Sequence, residues 1–131
     1  MSAATELQRA LVAALAGADG IAGVASGVFD GPPARAAFPY LAIGEGLSFD
    51  WSTKTERGRE HRVAVTAWDA AEHVVRLMDL LAAAADAIEA LPRDLGGHRI
   101  ASLVLLRERV VRDPAGPVAG LIEYRVRTLE V

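Results

Sequence analysis

The chain contains no cysteine among its 131 residues. This absence excludes disulfide bonds, zinc sites with thiolate ligands and thiol nucleophiles, and it agrees with a reducing cytoplasm. Aromatic residues make up only 5% of the sequence, so side chains on which nucleic-acid bases could stack are scarce. We therefore expect a core built mainly from alanine, valine, leucine and isoleucine.

The chain also lacks a strong excess of either charge and any long apolar run. Its 14 Lys and Arg against 17 Asp and Glu give a net charge of -3, so no overall positive field would attract nucleic acid. The longest apolar runs, at residues 11–16 and 100–106, are much shorter than the roughly 20 residues of a membrane-spanning helix. Glu6 stands where a secretory signal would carry basic residues. We expect no membrane span and no export signal.

Signatures of catalysis are missing as well. The serines lack the Gly-x-Ser-x-Gly pattern of hydrolases, and the glycines at 44 and 46 lack the further residues of a phosphate loop. Asp69 and His73, four residues apart, could offer two metal ligands on one helix face, but the sequence marks no third. A small metal-dependent hydrolase, or a nucleotide-modifying enzyme, that uses Asp69, His73 and the carboxylates of residues 45–60 is an alternative hypothesis. We assign no catalytic residue, no metal and no cofactor.

Apolar spacing predicts two helices. In residues 3–16, Leu7, Leu11 and Leu15 recur at helical intervals, and a second stripe of the same kind runs from residue 74 to residue 91. Asp69 is placed to cap the second helix and Pro92 to end it. The segment between the first helix and Phe38 is rich in glycine and proline, which favours an irregular connector with Val28 and Phe29 turned inward.

Four strands are predicted around these helices. They cover residues 40–47, where Gly44 and Gly46 indicate a bulge or a close approach to another backbone, and residues 61–68, 99–111 and 118–129. The last two are joined by a tight turn at 113–117. The order α-β-β-α-β-β favours an α+β fold over residues 1–131: one domain with a four-stranded, mostly antiparallel sheet and two helices on one face. In the last strand, Glu123, Arg125 and Arg127 share one face, which leaves a charged sheet face for a partner or for water.

A long charged hairpin loop between the first two strands is the most unusual segment. It runs from residue 48 to residue 60 and sets Phe49 and Trp51 among residues of both charge signs. One interpretation is a solvated loop whose aromatic rings fold back on the core. The other is a protein–protein contact, because Trp and Arg are enriched at interface hot spots. The candidate interface residues are Trp51, Lys54, Arg57, Arg59 and Glu60.

Short motifs along nearly the whole chain carry a family resemblance. They are Ala-Phe-Pro-Tyr at 37–40, Asp-Trp-Ser-Thr-Lys-Thr at 50–55, Gly-Arg-Glu-His at 58–61, Val-x-Ala-Trp at 65–68, Leu-Pro at 91–92, Gly-His-Arg at 97–99 and Arg-Asp-Pro-x-Gly at 112–116. In order and spacing they resemble the tail-completion, or tail terminator, family of tailed bacteriophages and gene transfer agents. The loop sequences resemble those of the gene transfer agent branch most.

The resemblance implies a structural protein and no enzyme. It implies a hexameric ring that terminates the tail tube and joins it to the head connector. The implied partners are further copies of the chain, the tail tube protein and the head-tail connector protein, while DNA passes through the ring without specific binding and no membrane is involved. The implied location is the bacterial cytoplasm during assembly and then the tail of a phage or gene transfer agent particle. The alternative within the same particle is a head-tail connector or adaptor protein.

Overall fold

The computed structural model describes all 131 residues, and its framework is a six-stranded mixed sheet with helices on one face. The helices are α1 (Ala3–Gly17), α2 (Asp19–Ala22) and α3 (Val74–Glu89), the last preceded by a 3-10 turn at Ala71–His73. The strands are β1 (Val28–Asp30), β2 (Tyr40–Ile43), β3 (Leu47–Asp50), β4 (Gly58–Asp69), β5 (His98–Arg112) and β6 (Val118–Glu130). No helix is both long enough and apolar enough to span a bilayer.

The strands lie in the order β1-β2-β4-β6-β5, with β3 also paired to β4. Only the β1–β2 pair is parallel, and all other pairs are antiparallel. The long strands β4, β6 and β5 form the centre and one side of the sheet. β5 and β6 are joined at the turn predicted from the sequence, where Asp113 accepts hydrogen bonds from the N–H groups of Ala115 and Gly116.

The core lies between the sheet and the helices. The side chains of Leu7, Leu11 and Leu15 are buried on α1, and those of Leu77 and Leu81 on α3. Burial of one such side chain contributes about 1.5–3 kcal/mol relative to leaving it exposed. The prediction that the regularly spaced apolar residues of both long helices face the core is thus confirmed.

A close approach between α3 and β6 fixes how the helix sits on the sheet. A Cβ atom on Gly120 would collide with the Leu81 side chain and lie only 3.3 Å from a methyl carbon of Leu77. Because Gly120 has no side chain, both leucines pack directly against the backbone of β6. The helices lie on this face of the sheet, and the opposite face carries no helix.

The fold class is confirmed, but the sheet has six strands where four were predicted, and there are three helices where two were predicted. Two of the additional elements, α2 and β1, lie in the segment expected to be irregular. The third, β3, pairs with β4 inside the predicted loop. These elements have only three or four residues each, too few for a periodic pattern, and their strands are stabilised by pairing with distant residues. Gly44 and Gly46 lie in the β2–β3 connection and form no bulge in a strand.

Asp69 does not cap α3. The helix begins after His73, whose side chain makes no capping hydrogen bond. Asp69 is fully buried and accepts two 2.7 Å hydrogen bonds from the guanidinium of Arg76 and a third from the backbone N–H of Ala70. Burial raises the pKa of Asp69, but these hydrogen bonds outweigh it and hold the pKa below its usual value. The residue therefore anchors the start of α3 through an ion pair.

Candidate interface on the open sheet face

The face of the sheet opposite the helices carries an unusual set of arginines. Strand alternation places Ile122, Tyr124 and Val126 in the core and the residues between them on this open face, as predicted. Register adds residues from β4 and β5 to the same face. We define the arginine face by its charged residues, which are Glu60, Arg62, Arg107, Arg109, Glu123, Arg125 and Arg127.

Glu60 is the anionic centre of one end of this face. It accepts a 2.9 Å hydrogen bond from Nε of Arg127 and a 3.1 Å hydrogen bond from Nη2 of Arg62. The hydrogen bond from Arg127, and then that from Arg62, lowers the pKa of Glu60 below its usual value. Glu60 is therefore ionised at neutral pH and holds both guanidinium groups in place.

Two aromatic rings of the hairpin lie against these arginines. The guanidinium carbon of Arg127 is 5.0 Å from the centre of the Trp51 ring, and that of Arg62 is 6.0 Å from the centre of the Phe49 ring. Both distances fall within the range of cation–π attraction. The aromatic residues of the hairpin thus cover charged groups of the open face and do not enter the core.

Positive charge on the arginine face is only partly neutralised. Arg62 and Arg125 are direct cross-strand partners, an arrangement in which like charges repel. Arg125 takes part in none of the ion pairs of the structure, and Arg107 contacts Glu123 at 3.8 Å. Five arginines against two glutamates leave a positive surface on a chain whose net charge is -3.

The hairpin between β3 and β4 is held by hydrogen bonds within itself and to the end of β6. The N–H of Trp51 donates to the carbonyl of Gly58 at 2.9 Å, and the N–H of Gly58 donates to Oγ of Ser52 at 3.1 Å. A Cβ on Gly58 would collide with the carbonyl oxygen of Trp51. Arg57 is tied to the end of β6 because its carbonyl accepts a 2.9 Å hydrogen bond from the N–H of Glu130.

The structure divides the five candidate residues between two sides of the hairpin. Trp51 and Glu60 meet on the open face through Arg127. Lys54 is exposed in the turn, and Arg57 and Arg59 are exposed at the helix-covered side of the hairpin. There they line a polar cleft with Asp50, Ser52, His98, Thr128, Glu130 and the first residues of the chain.

The sequence did not single out Arg62, Arg107 or Arg109 as site residues. Alternation in the last strand indicated the face of Arg125 and Arg127, but it could not show that Arg127 lies directly opposite Glu60. That pairing depends on the register between two strands that are separated by about half the chain. Only the tertiary fold sets this register.

The pair Asp69 and His73 does not form the start of a metal site. Arg76 occupies both carboxylate oxygens of Asp69, and the ring of His73 lies 3.9 Å from Glu72 at the surface. No group of three or more His, Asp or Glu side chains is arranged to hold a metal ion. These contacts give the hydrolase hypothesis no support.

Comparisons with known proteins agree with one another. The family model described as tail completion protein gp17 matches residues 9–129. A solved chain from the virion of a native gene transfer agent particle is 24% identical, with a TM-score of 0.64, and the match covers 96% of this chain and 90% of that one. The gp17 protein of bacteriophage SPP1 is 22% identical, with a TM-score of 0.60 and coverages of 95% and 89%. No curated protein sequence gives a significant match.

Proposed function

The chain belongs to the tail completion protein gp17 family, and on this premise we propose that six copies form a ring that closes the end of the tail tube and joins it to the head connector. Family membership makes the chain a structural tail component and not an enzyme. We propose in addition that the chain forms a ring, that the ring has sixfold symmetry, and that it binds the tube protein and the connector protein.

The observation that carries the proposal is the family match, which spans residues 9–129 of 131. The open sheet face supports it, because a cyclic ring needs two different surfaces on each subunit that meet in its neighbours. A face with aromatic and arginine side chains and no helix over it has the composition of an interface. In this proposal, residues 1–131 form a single tail-terminator-like domain.

The proposed mechanism is a change of surface at the end of the tube. Tube subunits offer the same unfinished edge at every layer, so stacking continues until a different surface covers that edge. A ring that binds the edge and offers another surface on its far side would stop growth and receive the head connector. We assign the tube-facing or neighbour-facing contact to the hairpin residues Trp51, Lys54, Arg57, Arg59 and Glu60.

DNA and the cell compartment follow from the same proposal. DNA would pass through the ring without specific binding, which agrees with the net charge of -3. Assembly would take place in the bacterial cytoplasm, and the protein would then remain in the tail. Neither a cofactor nor a membrane takes part.

Electron microscopy of particles made without the protein tests the proposal. Overlong tail tubes and heads without tails are expected, and supply of the wild-type gene from a plasmid should restore the tail length. Tails of normal length attached to heads would contradict the proposal. Tails of correct length detached from heads would instead support the alternative, a head-tail adaptor.

A further inference from the structure

The outer side of α3 carries charge opposite to that of the arginine face. Its exposed residues form one stripe along the helix, which we call the acidic stripe: Val75, Met78, Asp79, Ala82, Asp86 and Glu89. Three of the six are acidic and none is basic. Arg76, the only basic residue of α3, is bound to Asp69 and does not neutralise the stripe.

We propose that copies of this chain meet head to tail, with the arginine face of one copy against the acidic stripe of the next. The inference rests on the ring proposed above and names its two contact surfaces. Both surfaces belong to the same chain, and their opposite charges make the second copy the fitting occupant.

The two surfaces also match in length. Asp79 and Glu89 are ten residues apart on a helix, which corresponds to about 15 Å. On β6, Leu121 lies opposite Arg109. Leu121 and Arg127 are six residues apart on this strand, which corresponds to about 20 Å. A helix laid on the open face could therefore place its acidic groups within reach of several arginines at once.

Apolar side chains accompany the charges on both surfaces. On the acidic stripe, Val75 is 68% exposed and Met78 is 49% exposed. On the open face, Val104 and Val111 of β5 are 41% and 45% exposed, and both share that face with the arginines by register. Contact between the surfaces would remove these apolar groups from water, which favours association.

Like-charge repulsion disfavours a twofold contact through either surface alone. An arginine face against its own copy would bring like charges together, and the same holds for two acidic stripes. The helices cover one face of the sheet and the arginines occupy the other, so the two surfaces point in opposite directions. Such a contact repeats from copy to copy and closes as a ring when the rotation permits.

Sedimentation of purified variants over a wide concentration range tests the contact. Arg109→Glu and Arg125→Glu alter the arginine face, and Asp79→Arg alters the acidic stripe. Arg109 is exposed, so Arg109→Glu provides a test even if Arg125→Glu impairs folding. Each variant should weaken self-association at least about tenfold. The matched controls are Arg9→Glu and Glu45→Arg, which change charge equally at exposed positions outside both surfaces and should associate like the wild type.

A mixture of Arg109→Glu and Asp79→Arg chains gives the sharpest result. Each variant retains one intact surface that fits the intact surface of the other, so the mixture should associate more strongly than either variant alone. Wild-type behaviour of both variants would overturn the inference, as would a wild-type chain that stays monomeric at every concentration. If Arg109→Glu chains assemble normally but lose retention of a duplex DNA fragment, the face binds nucleic acid and the inference is wrong. The proposed function fails separately, by tails of normal length in particles made without the protein.

Discussion

Arg127 lies with its guanidinium carbon 5.0 Å from the centre of the Trp51 ring. The same guanidinium donates to Glu60, so one arginine joins the hairpin to the central strands of the sheet. Trp51 is only partly buried, and its ring lies against this charged neighbour. A ring held in this way can take part in a contact with another molecule at low cost to the fold.

Replacement of Trp51 by alanine should therefore separate stability from assembly. Loss of the cation–π contact and of part of the apolar burial should lower the free energy of unfolding by about 1–2 kcal/mol. Particle assembly should fail, because the hairpin would lose its largest contact residue. Denaturant unfolding and electron microscopy of complemented particles measure the two effects.

Phe38→Ala is the matched control for this prediction. Phe38 is 45% exposed and stacks on Tyr40 away from the hairpin, with 6.0 Å between the ring centres. Its loss should cost a similar amount of stability and leave assembly intact. A Trp51→Ala chain that does not fold would mean that the ring is a core residue, and the interface hypothesis for Trp51 would be lost.

A second prediction concerns the buried Tyr124, whose hydroxyl donates a 2.6 Å hydrogen bond to Glu89. Burial, and then this carboxylate, raises the pKa of Tyr124 well above its usual value. Tyr124→Phe removes the donor and keeps the ring, so it should lower the free energy of unfolding by roughly 1–2 kcal/mol. Tyr40→Phe, whose hydroxyl makes no hydrogen bond within the chain, should change it by less than about 0.5 kcal/mol.

A third prediction is a loss of stability below neutral pH caused by His61. Its ring is buried between the hydroxyls of Ser48 and Thr128, each 2.9 Å away. Burial, with further contributions from Arg59 and His98, lowers its pKa below the usual 6.5. The unfolded chain therefore takes up this proton first, so the stabilising contribution is complete above pH 6.5 and falls as pH drops towards the folded pKa.

Unfolding measured from pH 7.5 downwards checks this contribution, using His61→Gln and the surface control His73→Gln. This starting pH lies about one unit above the ordinary pKa of a histidine side chain. The His61→Gln chain should lose part of the wild-type slope, and the His73→Gln chain should keep it. An unchanged slope in the His61→Gln chain would show that other groups cause the pH dependence.

The large elements of the fold could be predicted from the sequence because they repeat a pattern. Leu7, Leu11 and Leu15 mark a helix by spacing alone, and Asp113 with its two prolines marks the β5–β6 turn. The short strands β1 and β3 carry no such pattern. They exist because distant strands offer them hydrogen bonds, which local sequence does not reveal.

The candidate site follows the same division. Trp51 and Glu60 could be chosen from the composition of the hairpin, since aromatic and charged residues occur together there. Their contact through Arg127 could not, because it depends on which residue of β6 lies opposite Glu60. The acidic stripe of α3 was visible only as the polar side of an amphipathic helix, and its relation to the arginine face requires the layered fold.

The last prediction uses Gly58, the first residue of β4, which packs directly against the hairpin backbone at Trp51. A Cβ at this position would collide with the carbonyl oxygen of Trp51 and lie 3.1 Å from a methyl carbon of Leu129. Backbone atoms cannot move aside as a flexible side chain can, so Gly58→Ala should shift the hairpin and the ring of Trp51. We expect a loss of about 1–3 kcal/mol in the free energy of unfolding and a change in Trp fluorescence. Gly46→Ala is the control, because a Cβ added at Gly46 would meet no atom within 4 Å outside the two neighbouring residues. This substitution should be neutral or slightly stabilising. Equal stability of the two variants would mean that the hairpin is free to move away from β4, and the contact between Trp51 and Arg127 would then not be a fixed feature of the fold.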